Sequence, residues 1–595
     1  MNNYLSYLLF GIFLYLASYI FYVKISRGLG HKAEYLQLRR FLPCAILAVL
    51  PCYLAQIPLT SPQFITSFIV GILWIIAYPL FYYITYHKNS TDFGFHLDTV
   101  FGLYIIGWFT GLKILVQYFN FIPSILLAVI SVIEFAVLLI PVIQWVYFAV
   151  YKTSVNENAL SAMLITNYNE IIEFYKSMPK SIQIFSPIFI IISIYGLITA
   201  NAPVQLADLN FYYLLTIAAI TIFLTIYLWE PSKKGVFLRT GIIDLLYDVK
   251  HYIAETRKYT DNLNQRLADL QVTPNKPQFE NPSTIIMVIG ESESRDYMSA
   301  FTDYDKDTTP WLNSQKNSEN FFLFPNSYSC HHQTVPSLER ALTEVNQYND
   351  KKFYSSCSVI DIAHKAGYTT HWYSNQGHLG GADTAVTLVA DTAGTTKWTR
   401  QNLNQVQYDE SLLEYLDEVD PSKNNFVVIH LKGNHFNFLN RYPENFTKWG
   451  EPGKYDLILN YINSIAYTDY ILQSIWQYGK DKLNLQAMVY FSDHATIPDK
   501  RRSSNFDGFA TVRIPMFVYL ANEYINKFPN TYNALKENTK KYFTNDLAYE
   551  LMCGIFNIQS NHYDETNSIA SLKYKYTREM LKTDIGNKWI KDDNN

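Results

Sequence analysis

Three long apolar runs, residues 3–23, 64–86 and 124–150, constrain this chain more than any other feature. Each is about 20 residues or longer, enough for a helix to cross a hydrocarbon core of roughly 30 Å. They are membrane helices. Further candidates at 41–59, 99–118, 183–200 and 211–229 set the expected count at five to seven. The stretch 41–59 holds Pro43 and Pro51 and could instead lie at the interface or be buried. The first run is not read as a cleavable signal, because its apolar part exceeds the usual 7 to 15 residues and no small-residue cleavage site follows it.

Orientation is contested. The loop 24–40 carries Lys24, Arg27, Lys32, Arg39 and Arg40 against only Glu34, which argues that it is cytoplasmic. With seven spans, that also leaves the C-terminal half inside; with one later span fewer, the C-terminal half lies outside. Charge alone leaves both open.

At 595 residues the chain is too long for one ordinary domain, and its apolar content is concentrated in the first part. The expected division is a membrane part over 1–230, an amphipathic connector and Pro/Asn-rich linker over 231–282, and a soluble region over 283–580. A net charge of −4, with no basic cluster interleaved with aromatics, excludes nucleic acid as partner. In the soluble region the segments 283–290, 369–374, 424–431, 486–492 and 513–520 read as buried strands. Helix-like stretches such as "PSLERALTEV", "VIDIAHKAG", "ESLLEYLDEV" and "YINSIAYTDYILQSIWQYG" separate them. That alternation predicts an α/β domain with a largely parallel sheet. Residues 521–595 read as surface helices and a polar tail, without assigned chemistry, and no internal repeat is evident.

Open α/β sheets place their sites beyond the carboxyl ends of strands. There "STIIMVIG" runs into Glu291, "NNFVVIHL" leads to His430 and His435, and "QAMVYFS" ends in Asp493 and His494. A Glu after a strand is often only a loop residue or cap. Three strand ends delivering carboxylate and imidazole together suit zinc or manganese. Thr334 precedes Pro336 and an amphipathic run with Leu338, Leu342 and Val345 on one face, which predicts a helix entering at Pro336. A hydroxyl at that point sits in a positive field that favours an alkoxide or a phosphate, although a plain N-cap would also explain it.

Together "MVIGES", "DTTPWL", "NSYSCHHQTVPSLERALT", "WYSNQ", "HLKGNHFNFLNRYP", "AYTDYIL" and "FSDHA" resemble, in order and spacing, the alkaline phosphatase and sulfatase superfamily. The resemblance is to its membrane-anchored phosphoethanolamine transferase branch, and it covers most of 283–520. It implies an N-terminal transmembrane bundle joined to a sulfatase-like α/β domain on the periplasmic side of a bacterial inner membrane. It further implies a zinc site of Glu291, Thr334, Asp493 and His494, in which Thr334 is also the nucleophile. His435 looks like the family's phosphoethanolamine-binding histidine, close to where a second zinc could bind, and His430, Asn375 and Gln376 are weaker candidates for the same pocket. The implied donor is phosphatidylethanolamine, and the implied acceptor is lipopolysaccharide, on lipid A or a core sugar, or another envelope component. Residues 154–177 resemble the family's amphipathic segment between membrane helices. An outside catalytic half fits the basic loop best if one of the first four candidate helices does not span.

Two relatives stand beside this reading. Sulfatases need a Cys or Ser converted to formylglycine where Thr334 stands, and their arginine is here displaced to Arg340, so sulfate-ester hydrolysis is disfavoured. Lipoteichoic acid synthases share the threonine but transfer phosphoglycerol, which makes that activity the alternative; a catalytically inactive scaffold is another. Two features depart from the family. The histidine usual between the Asp-His pair and the next strand is absent, leaving Lys500, Arg501, Arg502 or Asn505 to replace it or the second metal unbound. The soluble part has only Cys330, Cys357 and Cys553, so at most one bridge, such as Cys330 with Cys357, is open to it.

Overall fold

The computed structural model describes residues 2–29, 38–86, 96–119, 123–156, 159–160, 163, 171–172, 175–176, 178–203, 206, 209–232, 235–275, 278–376, 384–399, 406–500 and 506–594. Part of the basic loop (30–37), most of 154–177, and Arg501, Arg502 and Asn505 lie outside the described residues. The chain divides into two compact units: Met1–Met163 with Phe174–Lys250, and Leu164–Glu173 with His251–Asn595.

The first unit is helical. It contains α1 (Asn2–Gly28), α2 (Leu38–Ala55), α3 (Pro62–Tyr86), α4 (His96–Tyr118), α5 (Pro123–Tyr151), α6 (Lys180–Ala200) and α7 (Phe211–Trp229). Among the described residues six helices, all but α2, are long and apolar enough to cross a membrane. α2 spans 18 residues, with Pro43 and Pro51 inside it. Phe41, Cys44, Ala45, Ala48 and Cys52 nevertheless recur at helical spacing and are all buried, so α2 packs into the unit. α4 is the most enclosed, with 83% of its apolar window buried, against 6% for α6, which turns Phe185, Ile191, Ile192 and Tyr195 outward. Glycines let α3 and α4 meet closely, since a Cβ on Gly71 or Gly102 would lie 2.5 Å from the other's carbonyl oxygen. Between α4 and α5, Lys113 and Glu134 form an ion pair of 2.7 Å with both side chains 0% exposed.

The second unit is built on a seven-stranded sheet. Its strands are β1 (Thr284–Gly290), β2 (Phe321–Leu323), β3 (Thr369–Ser374), β4 (Thr395–Trp398), β5 (Asn425–His430), β6 (Leu485–Ser492) and β7 (Met516–Leu520), in the spatial order β2-β7-β6-β1-β5-β3-β4. β6, β1, β5, β3 and β4 are parallel; β7 and β2 add antiparallel at one edge. The continuous apolar runs follow from burial on both faces. Ile285, Met287 and Ile289 of β1, with Phe426 and Val428 of β5, enter one core, while Ile286, Val288, Val427 and Ile429 enter the other. Successive side chains of a strand point to opposite sides, so each strand feeds two cores.

Three sequence expectations change. Residues 521–595 are not merely surface: Ala548–Ile555 is a fully buried helix, because "AYELMCGI" is apolar on nearly every side. Cys330 and Cys357 do not pair; both are buried free thiols, as is Cys553. The helix expected from Pro336 begins two residues earlier, at Thr334.

Candidate functional site

Four neighbouring strands deliver the site. The registers align Ser492 of β6 with Gly290 of β1, His430 of β5 with Ile289, and Ser374 of β3 with His430. Asp493–His494, Glu291, Leu431–Lys432 and Asn375–Gln376 therefore leave the sheet along one edge, where parallel α/β sheets keep their sites.

Glu291, Asp493 and His494 are buried, and a donor atom from each lies within 4.8 Å of the others. His494 Nε2 is 3.3 Å from both Glu291 Oε1 and Asp493 Oδ2. His494 Nδ1 is 2.9 Å from the Ala495 carbonyl oxygen. A carbonyl only accepts, so Nδ1 carries a proton, and in a neutral ring Nε2 then turns its lone pair to the carboxylates. Thr334 Oγ1 donates to Glu291 Oε2 at 3.1 Å and lies 3.4 Å from His494 Nε2. Its helix, α8 (Thr334–Ala341), has Gln333 as the N-cap. The threonine is thus the first helical residue, and its hydroxyl faces the carboxylate.

Sequence reasoning passed over Ser292. Its hydroxyl donates to Glu291 Oε1 at 2.6 Å, and its N–H donates to Asp493 Oδ1 at 2.9 Å. The His494 N–H reaches the same Oδ1 at 2.7 Å. Ser292 achieves this at φ 58°, in the left-handed region that side chains rarely adopt. The carbonyl of Asp493 is held by Ser329 Oγ at 2.5 Å, Ser337 Oγ at 2.6 Å and Asn545 Nδ2 at 2.8 Å. Asn545 lies 52 positions beyond the aspartate, and no local pattern marks it.

The centre is rich in lone pairs. Burial, followed by the neighbouring Glu291 carboxylate, pushes the Asp493 carboxyl up, and Asp493 Oδ2 is buried without a hydrogen-bond partner. Two carboxylates and an inward-facing imidazole lone pair are costly together unless a cation sits among them. The donor set fits a zinc ion.

Other expected residues surround this centre. Gln376 Nε2 donates to the Leu431 carbonyl at 2.7 Å and lies 3.4 Å from Glu291 Oε2; Lys432 Nζ reaches Gln376 Oε1 at 3.3 Å. Burial pushes His430 down to about 4, leaving a neutral imidazole whose Nε2 has no hydrogen-bond partner. Asn375 works within the scaffold: its amide donates to Asp409 Oδ1 at 2.7 Å and accepts from Thr399 Oγ1 at 2.8 Å. His435 is half-buried on the loop after β5, its N–H donating to the Lys432 carbonyl at 3.2 Å.

Among the described residues, two further groups carry metal-type donors. In His331–His332–Asp584 the Gln333 N–H lies 3.1 Å from His331 Nδ1, so a neutral ring carries its proton on the Nε2 that faces Asp584. In Glu344–Cys357–His562 the glutamate is already paired with Lys351 and with His562 at 3.0 Å. Of these groups, the Glu291 group brings the Thr334 hydroxyl to a pair of buried carboxylates.

Residues 283–553 match the family model described as Sulfatase. Among curated proteins the chain is similar to phosphoethanolamine transferase EptC of Escherichia coli (strain K12), 27% identical over 386 residues, 61% of this chain and 64% of that protein. It is also similar to phosphoethanolamine transferase CptA of Salmonella typhimurium (strain LT2), 25% identical over 360 residues, 56% of this chain and 61% of that protein. The chain thus spans less than two thirds of the length of either relative. Among solved structures, the integral membrane lipooligosaccharide phosphoethanolamine transferase A of Neisseria meningitidis has a TM-score of 0.53 at 19% identity, covering 88% of this chain and 98% of that one. The two share a fold.

Proposed function

We propose that this chain, a helical membrane unit joined to a sulfatase-family domain at 283–553, transfers phosphoethanolamine from phosphatidylethanolamine to a cell-envelope acceptor. The acceptor class read here is lipopolysaccharide, on lipid A or a core sugar; the names of two similar proteins, a Kdo(2)-lipid A phosphoethanolamine 7''-transferase of Escherichia coli (strain K12) and the lipooligosaccharide phosphoethanolamine transferase A of Neisseria meningitidis, support it. On this reading the chain sits in the bacterial inner membrane with its catalytic unit in the periplasm. The observation that carries the proposal is Thr334 Oγ1, 3.1 Å from Glu291 and 3.4 Å from His494, at the mouth of a buried cluster of metal-type donors.

Glu291, Asp493, His494 and Thr334 would hold one zinc ion, which when bound lowers the pKa of a coordinated hydroxyl and offsets charge on phosphoryl oxygens. Thr334 Oγ gives up its proton and bonds to the donor's phosphorus. The bond from phosphorus to the diacylglycerol oxygen breaks, and diacylglycerol leaves with the electron pair and takes up a proton. An acceptor hydroxyl then attacks the phosphoethanolamine-threonine ester, and Thr334 regains its hydroxyl. Ser292 fixes the orientation of Glu291, while α8 points its N-terminus, with its partial positive charge, at the developing negative charge. His430, neutral by burial, and His435 are placed in the donor-headgroup pocket on this reading.

Intact mass of the full-length protein after incubation with phosphatidylethanolamine tests this. A gain of one phosphoethanolamine group, absent in Thr334→Ala, is expected. A phosphoglycerol gain from phosphatidylglycerol would replace the proposal with the alternative transfer, and zinc-free protein that forms no adduct would favour the scaffold.

A further inference from the structure

We infer that Asp409 is a positioning residue for the Glu291 centre, acting through the loop that follows β5. The inference rests on the metal reading proposed above. Asp409 is 4% exposed. Its Oδ1 accepts the Lys432 N–H at 2.7 Å and Asn375 Nδ2 at 2.7 Å, and its Oδ2 accepts the Gly433 N–H at 2.9 Å. Lys432 and Gly433 follow β5 and Asn375 follows β3, so one carboxylate ties together two strand ends beside the site.

The tied loop bears on Glu291 from three sides. Gly433 adopts φ +47°, and a Cβ there would stand 3.0 Å from both the N and the O of Glu291, so the loop presses directly on that backbone. The Asn434 N–H donates to the Glu291 carbonyl at 2.9 Å. Leu431 offers its carbonyl to the Gln376 amide that also lies 3.4 Å from Glu291 Oε2. Asp409 touches neither the metal ligands nor substrate. It fixes the backbone that fixes the glutamate, and ligand orientation set by outer groups is typically worth 10–100-fold in metal affinity.

An acceptor at both oxygens is what the arrangement requires. Asp409→Ala removes all three contacts. Asp409→Asn keeps the shape and the Oδ1 contacts, but turns an amide N–H₂ toward the Gly433 N–H. Asn375→Ala removes one contact and leaves the loop tied.

Zinc affinity of the full-length protein in detergent, measured by competition with a chelating dye, tests the inference, with thermal unfolding followed in parallel. Asp409→Ala should weaken zinc binding roughly 10–100-fold while unfolding stays cooperative, Asp409→Asn should fall between, and Asn375→Ala should change least. Wild-type affinity in both Asp409 variants would overturn the inference while leaving the metal reading intact. If Asp409→Ala does not fold, unchanged affinity in Asp409→Asn overturns it alone. A wild-type chain that binds no zinc overturns both readings.

Discussion

Each unit buries charge, and the two do so in opposite ways. In the membrane unit Lys113 meets Glu134 at 2.7 Å, with Thr66 Oγ1 at 2.8 Å and Ser67 Oγ at 3.2 Å taking the remaining ammonium protons. That set is electrically complete. In the sheet-built unit Glu291 and Asp493 lie with the His494 ring between them, Nε2 3.3 Å from each, an arrangement of donors that suits a cation. Buried ionisable groups are expensive in both settings, and the difference marks a group satisfied by the fold against one arranged for a ligand.

Four outcomes would break or sharpen that contrast. The largest effect is expected at Thr334. Its alanine variant should lose adduct formation by roughly a thousandfold or more, read by intact mass, while holding zinc through the other three ligands. Next comes the membrane pair: Lys113→Met should cost about 3–5 kcal/mol by leaving a buried carboxylate alone. The double variant Lys113→Met/Glu134→Leu should recover most of this in thermal unfolding in detergent, and no recovery would show that the pair is not self-contained.

The third concerns Glu550, which burial pushes up to about 8 from 4.5. Raised above its unfolded value, it contributes full stability below pH 4.5, and this is lost as pH rises toward 8. Glu550→Gln should therefore flatten the fall in stability over that window, by roughly 2–4 kcal/mol at its upper end. Unfolding curves at pH 5 and pH 8 that shift equally for both proteins would refute this. The smallest is the mirror of the Lys113 result: in zinc-free protein, Glu291→Gln should stabilise by roughly 1 kcal/mol, because it relieves two carboxylates that repel each other. Destabilisation there would mean that the centre is compensated without a metal.

Much of the site was legible because its signals are local. Glu291, Asp493 and His494 each follow at once a strand recognisable from an uninterrupted apolar run. Thr334 was legible through the amphipathic run after it, although the helix begins at the threonine itself. Ser292 was adjacent to the candidate Glu291 and still missed, since its contacts depend on a left-handed backbone that composition does not announce. Asp409 and Asn545 had no signal, because one looks like a helix-start residue and the other lies in a stretch that reads as surface.

The sequence by itself determined the elements whose cause is short-ranged: membrane helices from apolar length, central strands from two-sided burial, and the carboxylate and imidazole residues at their ends. Tertiary structure alone decided the strand order that sets β6, β1, β5 and β3 side by side, the antiparallel β7, and the short edge strands β2 and β4. It also decided which distant side chains hold the site in place. Asn545 reaches the Asp493 carbonyl across 52 positions and Asp409 reaches Lys432 across 23. Such contacts depend on where the chain returns in space, which no window of neighbouring residues encodes.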